Sequence, residues 1–153
     1  MDNRQRSFVM IKPDGVQRGL VGQIIARFEA KGFKLVALKV CRPSKQLLEE
    51  HYVDIKSRSF FPGFLAFMAS GPVVAMCWEG GNAVSSIRQL VGATNPLEAA
   101  PGTIRGDHGL DSGRNLIHAS DSVANAEKEL SLWFTPDQLM EYTLAQYPNL
   151  FEH

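Results

Sequence analysis

The sequence predicts an α+β fold, a ferredoxin-like sandwich in which helices pack on a four-stranded antiparallel sheet. Two observations carry this. The predicted elements run strand, helix, strand, helix, helix, strand, helix, loop, short strand, helix, which divides into two right-handed strand-helix-strand halves around one sheet. The chain is also the size of one ordinary domain, 153 residues with 44% hydrophobic and 21% charged, so residues 1–153 are read as a single domain with a real core.

Ser7 to Ile11 (SFVMI) is an apolar run of strand length, broken at Lys12-Pro13-Asp14-Gly15, which reads as turn chemistry. Val21, Ile24, Ile25 and Phe28 recur at helical spacing, and Gly32 stops that helix. Lys34 to Cys41 is the second strand. Pro43 and Ser44 open a helix through QLLEEHY, with His51 and Tyr52 expected to be partly exposed near its end. Phe60 to Phe67 forms another helical piece with Pro62 in its first turn and Gly71-Pro72 after it. Its four phenylalanines favour core, yet four rings cannot all face inward on one short helix, which leaves Phe60 as a candidate stacking surface.

Val73 to Glu79 (VVAMCWE) is nearly unbroken and apolar, hence a central strand covered on both faces. Asn82 then caps a helix bearing Val84, Ile87, Arg88 and Val91, and Arg88 beside the apolar stripe calls for an anionic partner. From Ala93 to Asn115 no apolar period is sustained, and a connection of that length in a compact domain points to function. Asn115 to His118 reads as a short strand delivering an imidazole to that loop. Ser120-Asp121-Ser122 caps a helix with its stripe at Val123, Ala126, Leu130 and Phe134. Pro136 to Leu144 is a last amphipathic piece, and Tyr147 to His153 a tail.

Sixteen basic and sixteen acidic residues cancel, which argues against nucleic acid as a partner and leaves local cationic clusters for small anions. No apolar run reaches membrane-spanning length and the N-terminus has no signal-peptide core, so the expected setting is cytoplasmic, with no membrane partner. Cys41 and Cys77 lie in strand-like runs without metal spacing and read as free thiols. Neither the GxxxxGK[ST] nor the GxGxxG phosphate cradle is present. His118, with Arg105, Arg114 and Asn115 near it in sequence, is the leading candidate for chemistry, because guanidinium forks suit phosphate oxygens. Lys12 at a strand end is a candidate phosphate contact or a solvated lysine, and by spacing alone Glu129 is a solvated helix-face carboxylate.

Five blocks then carry a resemblance: KPDGVQRGLVG (Lys12–Gly22), ATNP (Ala93–Pro96), PGTIRGD (Pro101–Asp107), GRN (Gly113–Asn115) and IHASDS (Ile117–Ser122). In order and spacing they resemble nucleoside diphosphate kinases, from about Phe8 into the tail. The resemblance implies a ping-pong phosphotransferase. His118 would take the terminal phosphoryl group of ATP or another nucleoside triphosphate and pass it to a nucleoside diphosphate. It also implies that Glu129 orients His118, that Lys12, Tyr52, Arg88, Thr94, Arg105 and Asn115 hold phosphates and sugar hydroxyls, and that Phe60 stacks on the base with broad base tolerance. Mg²⁺ would ride on the phosphates with no protein ligand assigned, Asp121 reaching it through water, and the assembly would be a homo-hexamer. Three positions depart from the family pattern: Ala119 for a usual glycine, Phe64 for a leucine and Ser112 for a valine. A binding protein without turnover, or a phosphohistidine phosphatase or mutase, remains the rival reading.

Overall fold

The computed structural model describes residues 3–152, so His153 of the predicted tail lies outside the described residues. Four strands, β1 (Arg4–Ile11), β2 (Lys34–Cys41), β3 (Val73–Gly81) and β4 (Ile117–Ala119), form one sheet in the order β2-β3-β1-β4, and every pairing is antiparallel. The predicted sandwich is therefore the observed one. Among the described residues eight α-helices accompany the sheet: α1 (Pro13–Gln17), α2 (Val21–Lys31), α3 (Lys45–His51), α4 (Phe61–Met68), α5 (Ala83–Val91), α6 (Ile104–His108), α7 (Val123–Trp133) and α8 (Tyr147–Leu150).

Strand alternation sorts the core into two layers, because successive side chains point to opposite faces. Val9 and Ile11 of β1 join Val74, Met76 and Trp78 of β3 under the crossover helices α2 and α5, through Ile24, Phe28, Ile87 and Val91. Phe8 and Met10 face the other way with Val73, Ala75 and Cys77, under α3, α4 and α7, through Leu48, Met68, Leu130 and Trp133. Trp78 is fully buried and stacks on Phe28 with centroids 5.2 Å apart. The amphipathic stripe of α2 ends at Gly32, whose φ of 109° is the left-handed stop that glycine adopts without a Cβ penalty.

Local departures from the sequence reading have plain causes. Lys12-Pro13-Asp14-Gly15 is not a turn but the start of α1, since proline at a first helical position lacks only a donor that would be unsatisfied anyway. The Ala93–Asn115 connection contains α6, a five-residue helix capped by the Thr103 hydroxyl, which accepts from Gly106 N–H at 3.0 Å. Pro136–Leu144 holds a single 3₁₀ turn at Pro136–Gln138 rather than an amphipathic helix, and the tail carries the short α8. Cys41 and Cys77 are free thiols; Cys77 is buried as expected, while Cys41 at the end of β2 is only partly so. Among the described residues no helix is long and apolar enough to cross a membrane.

Candidate active site

β4 is three residues long, too short to hold its place by ladder bonds alone, and the chain around it supplies the rest. Leu116 enters with φ 76°, uncommon for a non-glycine residue. Its N–H donates to Asp14 Oδ2 at 2.9 Å and its carbonyl accepts from Lys12 N–H at 2.8 Å. Arg105, 3% exposed, donates to three carbonyls: Asn115 (3.2 Å), Gly92 (3.0 Å) and Ile117 (2.6 Å). One buried guanidinium thus clamps the predicted loop to the strand.

In the β4 register His118 lies opposite Met10, while Ile117 and Ala119 enter the core. α7, capped by Ser122 Oγ accepting from Asn125 N–H at 3.1 Å, buries Ala126, Glu129, Leu130 and Trp133 at i, i+3, i+4 and i+7. Glu129 is therefore on the inward stripe and not solvated. Its Oε1 lies 2.9 Å from His118 Nε2 and accepts from Ser120 Oγ at 2.6 Å. A carboxylate on Nε2 draws the proton to that nitrogen and leaves the Nδ1 lone pair open.

Burial holds the pKa of His118 below its ordinary value, Lys12 and Arg105 push the same way, and Glu129 opposes them. At neutral pH the imidazole is neutral and nucleophilic. Burial alone would raise Glu129, but the His118 hydrogen bond and the nearby imidazoles outweigh it, so its carboxyl titrates below the usual range.

Around this pair stands a cationic arc of Lys12, Arg88 and Arg105, with the Asp14 carboxylate near Lys12. Lys12 Nζ donates to Asn115 Oδ1 at 2.9 Å, and Asn115 Nδ2 donates to the Thr94 carbonyl at 3.0 Å. Arg88 donates to the Ala119 carbonyl at 3.1 Å. Burial, then the neighbouring Arg105, lowers Lys12 to about 8, while burial, then Arg88, lowers Arg105 to about 10. Cations depressed by one another and by desolvation gain most when an anion arrives, which marks the arc as an anion site.

Tyr52, Arg88, His118 and Glu129 share the lining of a cavity of about 240 Å³. Among the described residues the buried Tyr52 hydroxyl has no hydrogen-bond partner. Phe64 meets the Tyr52 ring edge-on at 4.7 Å, and Lys12 Nζ lies 5.8 Å from the Phe64 centroid. Phe60 does not line that cavity. It stands half exposed at the start of α4 with the Arg58 guanidinium 5.5 Å from its centroid, while Phe61 is core and Phe67 lies under Arg114 at 3.8 Å.

The sequence reading missed His51. It was expected to be partly exposed but is buried, because α3 packs on α7 and Trp133 Nε1 donates to His51 Nδ1 at 2.9 Å. Its Nε2 faces Glu129 Oε2 at 3.7 Å. His51, His118 and Glu129 bring their ligand atoms within 4.8 Å of one another, but a resident cation suits them poorly. Trp133 occupies the Nδ1 lone pair of His51, so Nε2 carries the proton and has no lone pair to give. Asp121, which accepts from Asn125 Nδ2 at 2.6 Å, lines the cavity as an oxygen donor without a surrounding carboxylate cage.

Comparison with known proteins agrees with this geometry. Residues 5–139 match the family model described as nucleoside diphosphate kinase. The chain is 57% identical over 152 residues to nucleoside diphosphate kinase B of Homo sapiens, covering 99% of this chain and 100% of that protein. It is 58% identical over 150 residues to nucleoside diphosphate kinase of Drosophila melanogaster, covering 98% of each. Among solved structures, a nucleoside diphosphate kinase family protein from Babesia bovis superposes with a TM-score of 0.94 at 45% identity, covering 96% of this chain and 99% of that one. A halophilic nucleoside diphosphate kinase from Halobacterium salinarum, solved in complex with CDP, gives 0.94 at 48% identity over 96% and 98%. That family transfers phosphate between nucleotides through a phosphohistidine, and with the family model matching most of the chain and relatives matching nearly all of it, the chain belongs to the nucleoside diphosphate kinase family.

Proposed function

We propose that His118 Nδ1 is the atom that carries the phosphoryl group between nucleotides. The observation behind this reading is the 2.9 Å contact of Nε2 with Glu129, which leaves Nδ1 as the free lone pair. That lone pair attacks the γ-phosphorus of a nucleoside triphosphate, the bond from phosphorus to the β-γ bridging oxygen breaks, and the diphosphate leaves with the electron pair. The resulting phosphoimidazolium keeps its Nε2–H on the Glu129 carboxylate, which stabilises the cation. In the second half a nucleoside diphosphate attacks the same phosphorus with its terminal oxygen and regenerates neutral His118.

Charge spreads over the equatorial oxygens of the transferring group, and positioned cations stabilise it without covalent help. Lys12, Arg88 and Arg105 serve that role, with Tyr52, Thr94 and Asn115 orienting phosphates and sugar hydroxyls. Arg105 acts partly as a scaffold, since three of its five N–H groups are committed to carbonyls. Mg²⁺ would enter with the nucleotide as part of the substrate, and Asp121 in the cavity lining is the carboxylate that would meet it, while the ion would supply charge neutralisation on the phosphates. Phe60 offers an exposed ring whose stacking accepts any base, which supports broad base tolerance.

Residues 1–153 act as one domain, and the working unit is a homo-hexamer in the cytoplasm. Leu38 and Val40 on the edge strand β2, and Leu97 and Leu110 in the long connection, are large exposed apolar groups that subunit contact would cover. Light scattering at micromolar concentration checks this, a monomer or tetramer counting against it. The function itself is tested by incubation with γ-labelled ATP, removal of nucleotide, and addition of GDP. Label first on protein and then on GTP supports the reading. A protein that binds nucleotide but takes no label is a binding protein, and one that releases the label only to water is a phosphatase.

A further inference from the structure

His51 plays no part in the transfer as described, yet its environment is more constrained than packing alone requires. The indole N–H of Trp133 can only donate, so His51 Nδ1 must accept. The ring is buried, and burial, with His118 adding to it, lowers its pKa to about 3, so it is neutral and its one proton sits on Nε2. Among the described residues that N–H has no hydrogen-bond partner, and it faces Glu129 Oε2 at 3.7 Å. The other oxygen, Oε1, meets both His118 Nε2 and the Ser120 hydroxyl. Among the described residues no group hydrogen-bonds Oε2, so the His51 N–H dipole is what addresses that side of the carboxylate. The His51 ring also meets His118 edge-on at 4.6 Å.

We propose that His51 is a positioning residue for phosphoryl transfer: its Nε2–H, fixed by Trp133, holds Glu129 in the orientation that keeps the His118 proton on Nε2 and its Nδ1 lone pair free. The chain of action runs Trp133 to His51 to Glu129 to His118, and each link sets the protonation or orientation of the next. It rests on the reading of His118 as the phosphoryl acceptor. An imidazole in the wrong tautomer has its proton where the new bond must form, so loss of this control lowers the rate of phosphorylation without weakening nucleotide binding.

The test uses the full chain labelled with ¹⁵N-histidine. Long-range ¹H–¹⁵N spectra report the His118 tautomer, rapid quench with ATP reports the phosphorylation rate, and nucleotide titration reports Kd. Native protein is expected to show one His118 tautomer, protonated at Nε2. His51→Phe should mix the tautomers and slow phosphorylation about tenfold with Kd unchanged, and His51→Gln, whose amide N–H reaches the same side of Glu129, should recover most of the rate. Trp133→Phe keeps a ring stacked on Phe8, now 5.2 Å away, while deleting the N–H, and should mix the tautomers even if His51→Phe does not fold. Unchanged tautomers in the variants that fold would overturn the proposal, whether or not the rate fell, as would His51→Gln behaving like His51→Phe. Native protein that takes no label would overturn the phosphohistidine reading instead, and the spectra would still decide whether His51 sets the tautomer.

Discussion

Gly15→Ala places one methyl group at the joint that delivers His118. A Cβ there would lie 2.7 Å from Ile11 Cγ2 and 2.9 Å from the Leu116 carbonyl oxygen, both inside contact distance. Neither neighbour yields easily: Ile11 is fully buried, and the Leu116 carbonyl is tied to Lys12 N–H at 2.8 Å on a residue already held at φ 76°. Alanine in a helix interior is worth about 1 kcal/mol over glycine, but forcing a methylene into a packed site costs about 1–3 kcal/mol and moves backbone. With backbone as the obstacle the upper part of that range applies, and the net is a loss of about 2 kcal/mol. Denaturant unfolding at fixed protein concentration should show it, and Tm should fall by about 4–8 °C for a chain of this length. Phosphorylation by ATP should slow as well, because β4 must shift. Gly22→Ala is the control: an exposed helical glycine with nothing within 4 Å of its Cβ, where the same change should stabilise by about 0.5–1 kcal/mol. If Gly15→Ala matched Gly22→Ala in sign, the packing argument for β4 would be refuted.

Phe60→Ala should reduce kcat/KM for ADP, GDP, CDP and UDP together, by about 1–3 kcal/mol of lost stacking; a loss confined to one base would show that the pocket reads base edges. Arg105→Lys keeps the charge but can reach only one of three carbonyls, so it should destabilise the fold by about 3 kcal/mol and cut activity with it; unfolding curves within 1 kcal/mol of the parent would show that the clamp is dispensable. His51 has a folded pKa of about 3 against an ordinary 6.5, so the unfolded chain takes up a proton that the native chain refuses. Its contribution is complete above pH 6.5 and is lost as pH falls toward 3, about 2 kcal/mol between pH 6 and 4.5. Urea unfolding across that range should show a shallower pH dependence in His51→Phe, and equal slopes would contradict the burial of a neutral imidazole.

The strands and long helices were legible because their periods are sustained. Lys34–Cys41 matches the observed β2 residue for residue, and the unbroken apolar run at Val73 lies at the centre of the sheet as its composition demanded. Short pieces were not. α1 and α6 have five residues each, less than two helical turns, and their glycines read as loop. Glu129 shows why a site resists single-residue reading: of the expected α7 stripe Ala126 and Leu130 are buried on the helix, but Val123 is exposed, Phe134 lies just past its end, and only packing against β4 turns Glu129 inward toward His118, a role the resemblance supplied and spacing did not. His51 had no such help. Its burial depends on Trp133, 82 positions away in sequence, and an imidazole at the end of a loosely periodic helix looks the same wet or dry.

Transfer through this site turns on which imidazole nitrogen takes the phosphoryl group. Protein phosphorylated by ATP should give an acid-labile, alkali-stable phosphoramidate, absent in His118→Ala, and phosphorus–proton correlation spectra should place the phosphorus on Nδ1 of His118. Phosphorus on Nε2, or an acid-stable ester on Ser120, would contradict it.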